Sequence, residues 1–271
     1  MLKTIPIINN KGGVGKTTTT VNVAAGLGRA GRRVLVVDLD SQGSASFALG
    51  VDRDDLTPCT AAALFGERAP SDILRPTPTR NVDVMTGALP LADADTRLSS
   101  VEGREKRLAT VLSEVQDDYD SILIDCAPST SLLTINALVA ADAFIIPVAP
   151  SYLSLEGVIS LGEVVKNVRM SLGEAAPVLG VLLTMVKSEK EQSESIIGEV
   201  REHYGGKVFD TEIEQDPALE EAPTHGQSIF DHAPDSRGAA QYEALVEEVL
   251  DRLDRYGSVY GKVREKQPTR T

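Results

Sequence analysis

Two hydrophobic rhythms alternate along the chain. Short, nearly continuous apolar runs, TIPIIN (residues 4–9), RVLVVDLD (33–40), NVDVMTG (81–87), SILIDCAP (121–128), AFIIPVAP (143–150) and VLGVLLTMV (178–186), have the make-up of strands covered on both faces. Between them lie stretches with apolar residues at helical spacing: KTTTTVNVAAGLGRAG up to Gly31, a segment from Arg104 to Val115, one from Leu155 to Met170, and ESIIGEVREHY. SLLTINALVA (131–140) continues the alternation. Strand, helix, strand in this order predicts right-handed crossovers and a doubly wound, mainly parallel sheet with helices on both faces. Small residues, prolines and turns dominate between Ser41 and Arg80, which predicts peripheral short helices and loops there rather than a second domain. GAAQYEALVEEVLDRLDRY sets Leu245, Val249, Leu250 and Leu253 on one helical stripe and predicts a docked amphipathic helix. The expected organisation is one domain over residues 1–257 and a basic, flexible tail over 258–271.

Composition changes this picture little. With 42% hydrophobic and 25% charged residues the 271-residue chain has an ordinary globular mix. A net charge of −13 argues against a generally basic nucleic-acid coat, while leaving room for a local basic face. Cys59 and Cys126 stand far apart without a CxxC spacing, so neither a disulfide framework nor a cysteine metal site is expected. The first residues offer too short an apolar stretch for a signal peptide and no later run is long enough to span a bilayer, so the expected location is cytoplasmic.

The candidate chemistry begins at NNKGGVGKTTTT (residues 9–20), a glycine loop between a strand and a helix. There the backbone N–H groups of Gly12, Gly13, Val14, Gly15, Lys16, Thr17 and Thr18 and the helix N-terminus can point at a polyphosphate. Lys16 can reach its outer phosphates and the Thr17 hydroxyl can ligate Mg²⁺. Asn10 stands where the pattern GxxxxGK[ST] has its first glycine, so the loop is a variant, and it carries a second lysine, Lys11, for which that pattern has no use. KGGVGKTT with this extra lysine resembles the deviant Walker A motif of the ParA/MinD family of P-loop ATPases. The resemblance implies that Lys11 crosses a dimer interface to the phosphates bound by the other subunit, making ATP the glue of a homodimer and hydrolysis a timer for its dissociation.

Further segments extend the resemblance over nearly the whole chain. VLVVDLDSQGSAS is similar to the family's DxDPQGN signature, with Ser41 in place of the proline, and implies that Asp40 positions the attacking water while Asp38 supports the Mg²⁺ region. SILIDCAPSTSLLTINAL is similar to the family's Walker B and switch segment, implying that Asp125 holds Mg²⁺; Ala127 and Thr130-Ser131 depart from the usual residues. EAPTHGQSI matches EAPSHGKPI of the ParA branch, and IEQD stands where that branch has IPRN, which implies base-side contacts from Glu214 and Asp216. His225 in this segment is read as a loop hydrogen-bonding residue.

What a ParA-like switch implies is plasmid or chromosome partitioning: an ATP dimer bound to nonspecific duplex DNA on the nucleoid, and a ParB-like partner that stimulates slow hydrolysis. Arginines expected after LLTMV and in the IPRN segment are missing. The substitutes considered for DNA binding are Lys187, Lys190, Arg201 and Lys207, or Lys262, Arg264, Lys266 and Arg270 of the tail, and for each of them an ordinary solvated charge is the competing reading. Two alternatives stand beside this one. The first is a ParA-like ATPase that positions a non-DNA cargo; the second is a MinD-like membrane-cycling regulator, ranked last because the tail is poor in large apolar residues.

Overall fold

The computed structural model describes residues 4–150, 152–173, 175–187 and 191–264. Eight strands form one sheet: β1 (Thr4–Ile7), β2 (Val34–Asp38), β3 (Leu74–Pro76), β4 (Val82–Met85), β5 (Ser121–Asp125), β6 (Phe144–Val148), β7 (Val178–Val186) and β8 (Val208–Glu214), in the spatial order β3-β4-β2-β5-β1-β6-β7-β8. Every pairing is parallel except β3 with β4. The helices in chain order are α1 (Lys16–Arg29), α2 (Ser44–Ala48), α3 (Thr60–Leu64), α4 (Ala94–Arg97), α5 (Arg107–Ser113), α6 (Leu132–Ala140), α7 (Tyr152–Leu172), α8 (Glu191–Tyr204), α9 (Pro217–Glu221), α10 (Ile229–His232) and α11 (Arg237–Arg264).

The apolar runs form central strands because the two-residue period sends successive side chains into two separate cores. Ile5, Ile7, Val34, Val36, Leu123 and Ile145 pack with α1 and α11 on one face, while Leu35, Val37, Ile122, Ile124, Phe144 and Ile146 pack with α5, α6 and α7 on the other. This is the doubly wound architecture expected from the sequence. First and last helices lie side by side: Thr19 Oγ1 is 3.3 Å from the buried Tyr242 hydroxyl, and a Cβ on Gly26 would come within 2.5 Å of Val246 Cγ2.

Two strands had no clear apolar signal. β3 falls in the stretch read as loops and short helices; it is a three-residue antiparallel edge ending in Pro76, a residue that edge strands tolerate. β8, VFDTEIE, is an edge strand whose charges dilute the pattern. It is held by Arg252 of α11, which donates to the carbonyls of Leu179 (3.0 Å), Lys207 (2.8 Å) and Val208 (2.8 Å), pairs with Glu248 and lies 4.0 Å above the Phe209 ring centroid. Helix boundaries also differ. The segment from Arg104 opens as a 3₁₀ turn before α5, and α11 continues to Arg264, so the tail expected from residue 258 is helical over its first residues.

Candidate functional site

Register brings the chemistry together. Asp125 at the end of β5 lies beside Asp38 at the end of β2 and Ile7 at the end of β1, so the glycine loop leaves the sheet directly beside two carboxylates. This is the carboxyl edge of the parallel strands, where open α/β sheets bind ligands.

The loop is fixed by buried polar groups. Asn9 is fully buried; its Nδ2 donates to the Pro147 carbonyl (2.7 Å) and its Oδ1 accepts the Lys11 N–H (3.0 Å). Gly13 and Gly15 have φ of +69° and +79°, the left-handed region where a side chain is strained. Thr184 of β7 donates through Oγ1 to the Val14 carbonyl (3.0 Å). Gly15 is the N-cap of α1, no side chain caps that helix and no acidic residue lies in its first turn, so its N–H groups face the loop. Lys16, 6% exposed, curls back so that Nζ donates to the Lys11 carbonyl (2.8 Å). Burial pushes its ammonium below the usual lysine range, with Asp125 opposing. A buried cation at the uncapped start of a helix, beside a glycine loop, is built to receive an anion.

The carboxylates divide into three environments. Asp125, buried, accepts from Thr17 Oγ1 (2.8 Å) and Thr20 Oγ1 (3.1 Å). Asp38, also buried, accepts from Ser46 N (2.9 Å) and Oγ (2.7 Å) and from Asp40 N (3.0 Å). Burial raises both acids above the carboxylate range, and the Asp38 charge raises Asp125 further. Asp40 is half-exposed at the mouth, its Oδ1 held by the Gln42 N–H (3.0 Å). A Cβ on Gly87 would lie 2.5 Å from Asp38 Oδ1, so only glycine lets this backbone close over the aspartate pair.

The Thr17 hydroxyl and the Asp125 carboxylate are hard oxygen donors 2.8 Å apart, a pair suited to Mg²⁺, which takes few protein ligands and completes its shell with water and phosphate. Among the described residues no group of three or more His, Cys, Asp or Glu side chains could hold a metal alone, in keeping with such a shared site. Asp38, expected to support the metal region, lies beside Asp125 at the strand ends. Its hydrogen bonds hold the turn that presents Asp40.

Other expected residues have structural partners of their own. Glu214 is ion-paired to Arg237 and bonded to Gln241, while Asp216 caps α9 at Ala218 N (3.0 Å) and accepts the Gly238 N–H of α11 (2.8 Å). Both carboxylates thus organise the start of α11. Arg201 pairs with Glu212 (2.7 Å), Lys187 and Lys207 are exposed, and Lys190, with Lys266 and Arg270, falls outside the described residues. His225 stacks on His232 with ring centroids 4.9 Å apart. Asn9, Thr20, Ser46, Gly87 and Thr184 escaped sequence reading: each acts through a partner that only the fold brings to it.

A phosphate-receiving loop with a buried lysine, set beside carboxylates at the strand ends of a doubly wound sheet, defines a P-loop nucleoside triphosphatase. Residues 2–176 match the sequence model of the family described as AAA domain. The sporulation initiation inhibitor protein Soj of Bacillus subtilis is 43% identical over 249 residues, covering 92% of this chain and 98% of that protein. The chromosome-partitioning ATPase Soj of Treponema pallidum is 38% identical over 93% of this chain and 98% of its own length. Among solved structures, cobyrinic acid a,c-diamide synthase from Mycobacterium smegmatis with bound ATP analog and magnesium superposes with a TM-score of 0.83 at 31% identity, covering 93% of this chain and 96% of that one. The chain belongs to the ParA/Soj family of partitioning P-loop ATPases. No helix among the described residues is long and apolar enough to cross a membrane.

Proposed function

We propose that this protein is an ATP-dependent dimerisation switch that drives chromosome or plasmid partitioning, its ATP dimer binding nonspecific DNA and its hydrolysis releasing that dimer. The observation that carries the reading is the division of labour between two lysines on one loop: Lys16 is buried with Nζ turned inward, whereas Lys11 stands half-exposed at the rim. Lys16 serves the phosphates of its own subunit. Lys11 is placed to serve those of a second copy.

The residues fit Mg²⁺-ATP. Gly12 to Thr18 would cradle the phosphates, Thr17 and Asp125 would hold the metal, and Mg²⁺ when bound supplies charge neutralisation at the outer phosphate oxygens. Asp40, on a turn fastened to Asp38, orients a water toward the terminal phosphate, since it combines a carboxylate with solvent access at the mouth. A ParB-like protein would accelerate this step on the nucleoid.

The test is binding to random-sequence duplex DNA with ATP, with ADP and without nucleotide across a salt series, beside the protein's oligomeric state. Binding that requires ATP, disappears in Lys11→Ala and weakens steeply with salt is expected. A Lys11-dependent ATP dimer that ignores DNA would move the reading to a positioning ATPase with a non-DNA cargo, a result that the pairing of Arg201 with Glu212 makes worth looking for.

A further inference from the structure

The segment 126–131 leaves Asp125 and enters α6, and its far end is held from outside. Ser131 occupies the N-cap position of α6 in extended backbone, yet its side chain makes no cap; Ser129 Oγ donates to Ser131 Oγ instead (3.0 Å). The Leu132 N–H, one of the donors that a helix start leaves unpaired, goes to Asp95 Oδ1 (3.1 Å), 37 residues back in the chain. Asp95 lies in the first turn of α4, which is itself anchored: Arg97 pairs with Glu67 (2.5 Å) and stacks 3.8 Å above the Phe65 ring centroid. One turn into α6, fully buried Asn136 accepts the Leu108 N–H (3.0 Å) and donates to the carbonyls of Arg104 (2.8 Å) and Leu132 (2.9 Å). Thr134 Oγ1 closes the segment on itself at the Ser129 carbonyl (2.8 Å).

We propose that Asp95 is a positioning residue for ATP hydrolysis: by capping α6 from another element it fixes the far end of the segment that follows Asp125, and so holds that segment in one register against the nucleotide. This rests on the proposed ATP switch. Asn136 makes the same helix rigid from its buried side and reaches the Leu132 carbonyl, whereas Asp95 takes the Leu132 N–H from outside. Because Asp95 is exposed, its removal leaves no cavity and no unpaired group in the core. The cap needs an acceptor at that point and no charge.

The experiment compares Asp95→Ala and Asp95→Asn with wild type in steady-state ATP hydrolysis, with amide hydrogen exchange of Leu132 to Ile135 read in the same proteins. Expected is a kcat lowered about fivefold in Asp95→Ala with KM kept within about twofold, recovery in Asp95→Asn, and faster exchange at Leu132 in Asp95→Ala only. A wild-type kcat in Asp95→Ala, equal losses in both variants, or an unchanged Leu132 exchange rate would each overturn the inference. A wild-type protein that fails to hydrolyse ATP would overturn the reading of the site. Exchange at Leu132 would still decide whether Asp95 is the cap.

Discussion

The strand ends of β1, β2 and β5 and the outer edge formed by β7 and β8 are both rich in charge, and they use it in opposite ways. At the centre, Lys16, Asp38 and Asp125 are buried and bonded to one another's neighbours, with Thr17, Thr20 and Ser46 supplying short hydrogen bonds. At the edge, Arg201 with Glu212, Arg237 with Glu214 and Arg252 with Glu248 are local pairs that fasten one element to the next. Burying charge is costly and is sustained only by a dense polar network, so the centre's residues are interdependent and carry chemistry. At the edge, pairing near solvent leaves charge to serve mainly as fastening.

The largest effect that would sharpen this contrast is at the site mouth. Asp40→Ala should lower ATP turnover roughly 100-fold while nucleotide affinity is kept, since the hydrogen bonds of Asp40 run to Asp38 and Gln42 of its own turn; parallel turnover and equilibrium binding measurements decide it. Next is the fastening itself. Arg252→Ala should leave three backbone carbonyls without their donor and cost about 2–3 kcal/mol in denaturant unfolding, with kcat per folded molecule unchanged. An equal loss of kcat would break the division between edge and centre.

The smallest effect is a pH dependence. Burial, with Asp38 beside it, raises Asp125 to about 7 in the nucleotide-free protein. Because the folded value lies above the unfolded one, the stability this acid contributes is complete below about pH 4 and is lost as pH rises through about 7. Between pH 5 and 8 the unfolding free energy should therefore fall, and Asp125→Asn should remove that fall, as Tm profiles of the two proteins without Mg²⁺ would show.

Legibility in the sequence follows the same divide. The central strands were readable because two-sided burial requires unbroken apolar runs, and the loop was readable because phosphate binding constrains residues close together in the chain. β8 was hidden by its charges and β3 by Pro76, both ordinary features of edges. Glu214 and Asp216 were expected at the base side from their place in the family's IPRN segment; their partners at the start of α11, Arg237 and the Gly238 N–H, were not legible, because a carboxylate's type says nothing of its partner. Ser46 was invisible for a related reason: its partner Asp38 lies 8 residues away across a turn that no periodicity describes. Asp95 was beyond reach altogether, 37 residues from the amide it accepts.

The pairing of the first and last helices also bears on how the protein is made. Thr19 waits for Tyr242, 223 residues further along, and the apolar side of α1 around Val21, Ala24 and Ala25 has its cover in Tyr242, Val246 and Val249. On the ribosome, adding 5–20 residues per second, that cover arrives on the order of ten seconds after the phosphate loop has emerged. During that interval the nascent chain presents the underside of its nucleotide helix to whatever chaperone stands at the exit tunnel.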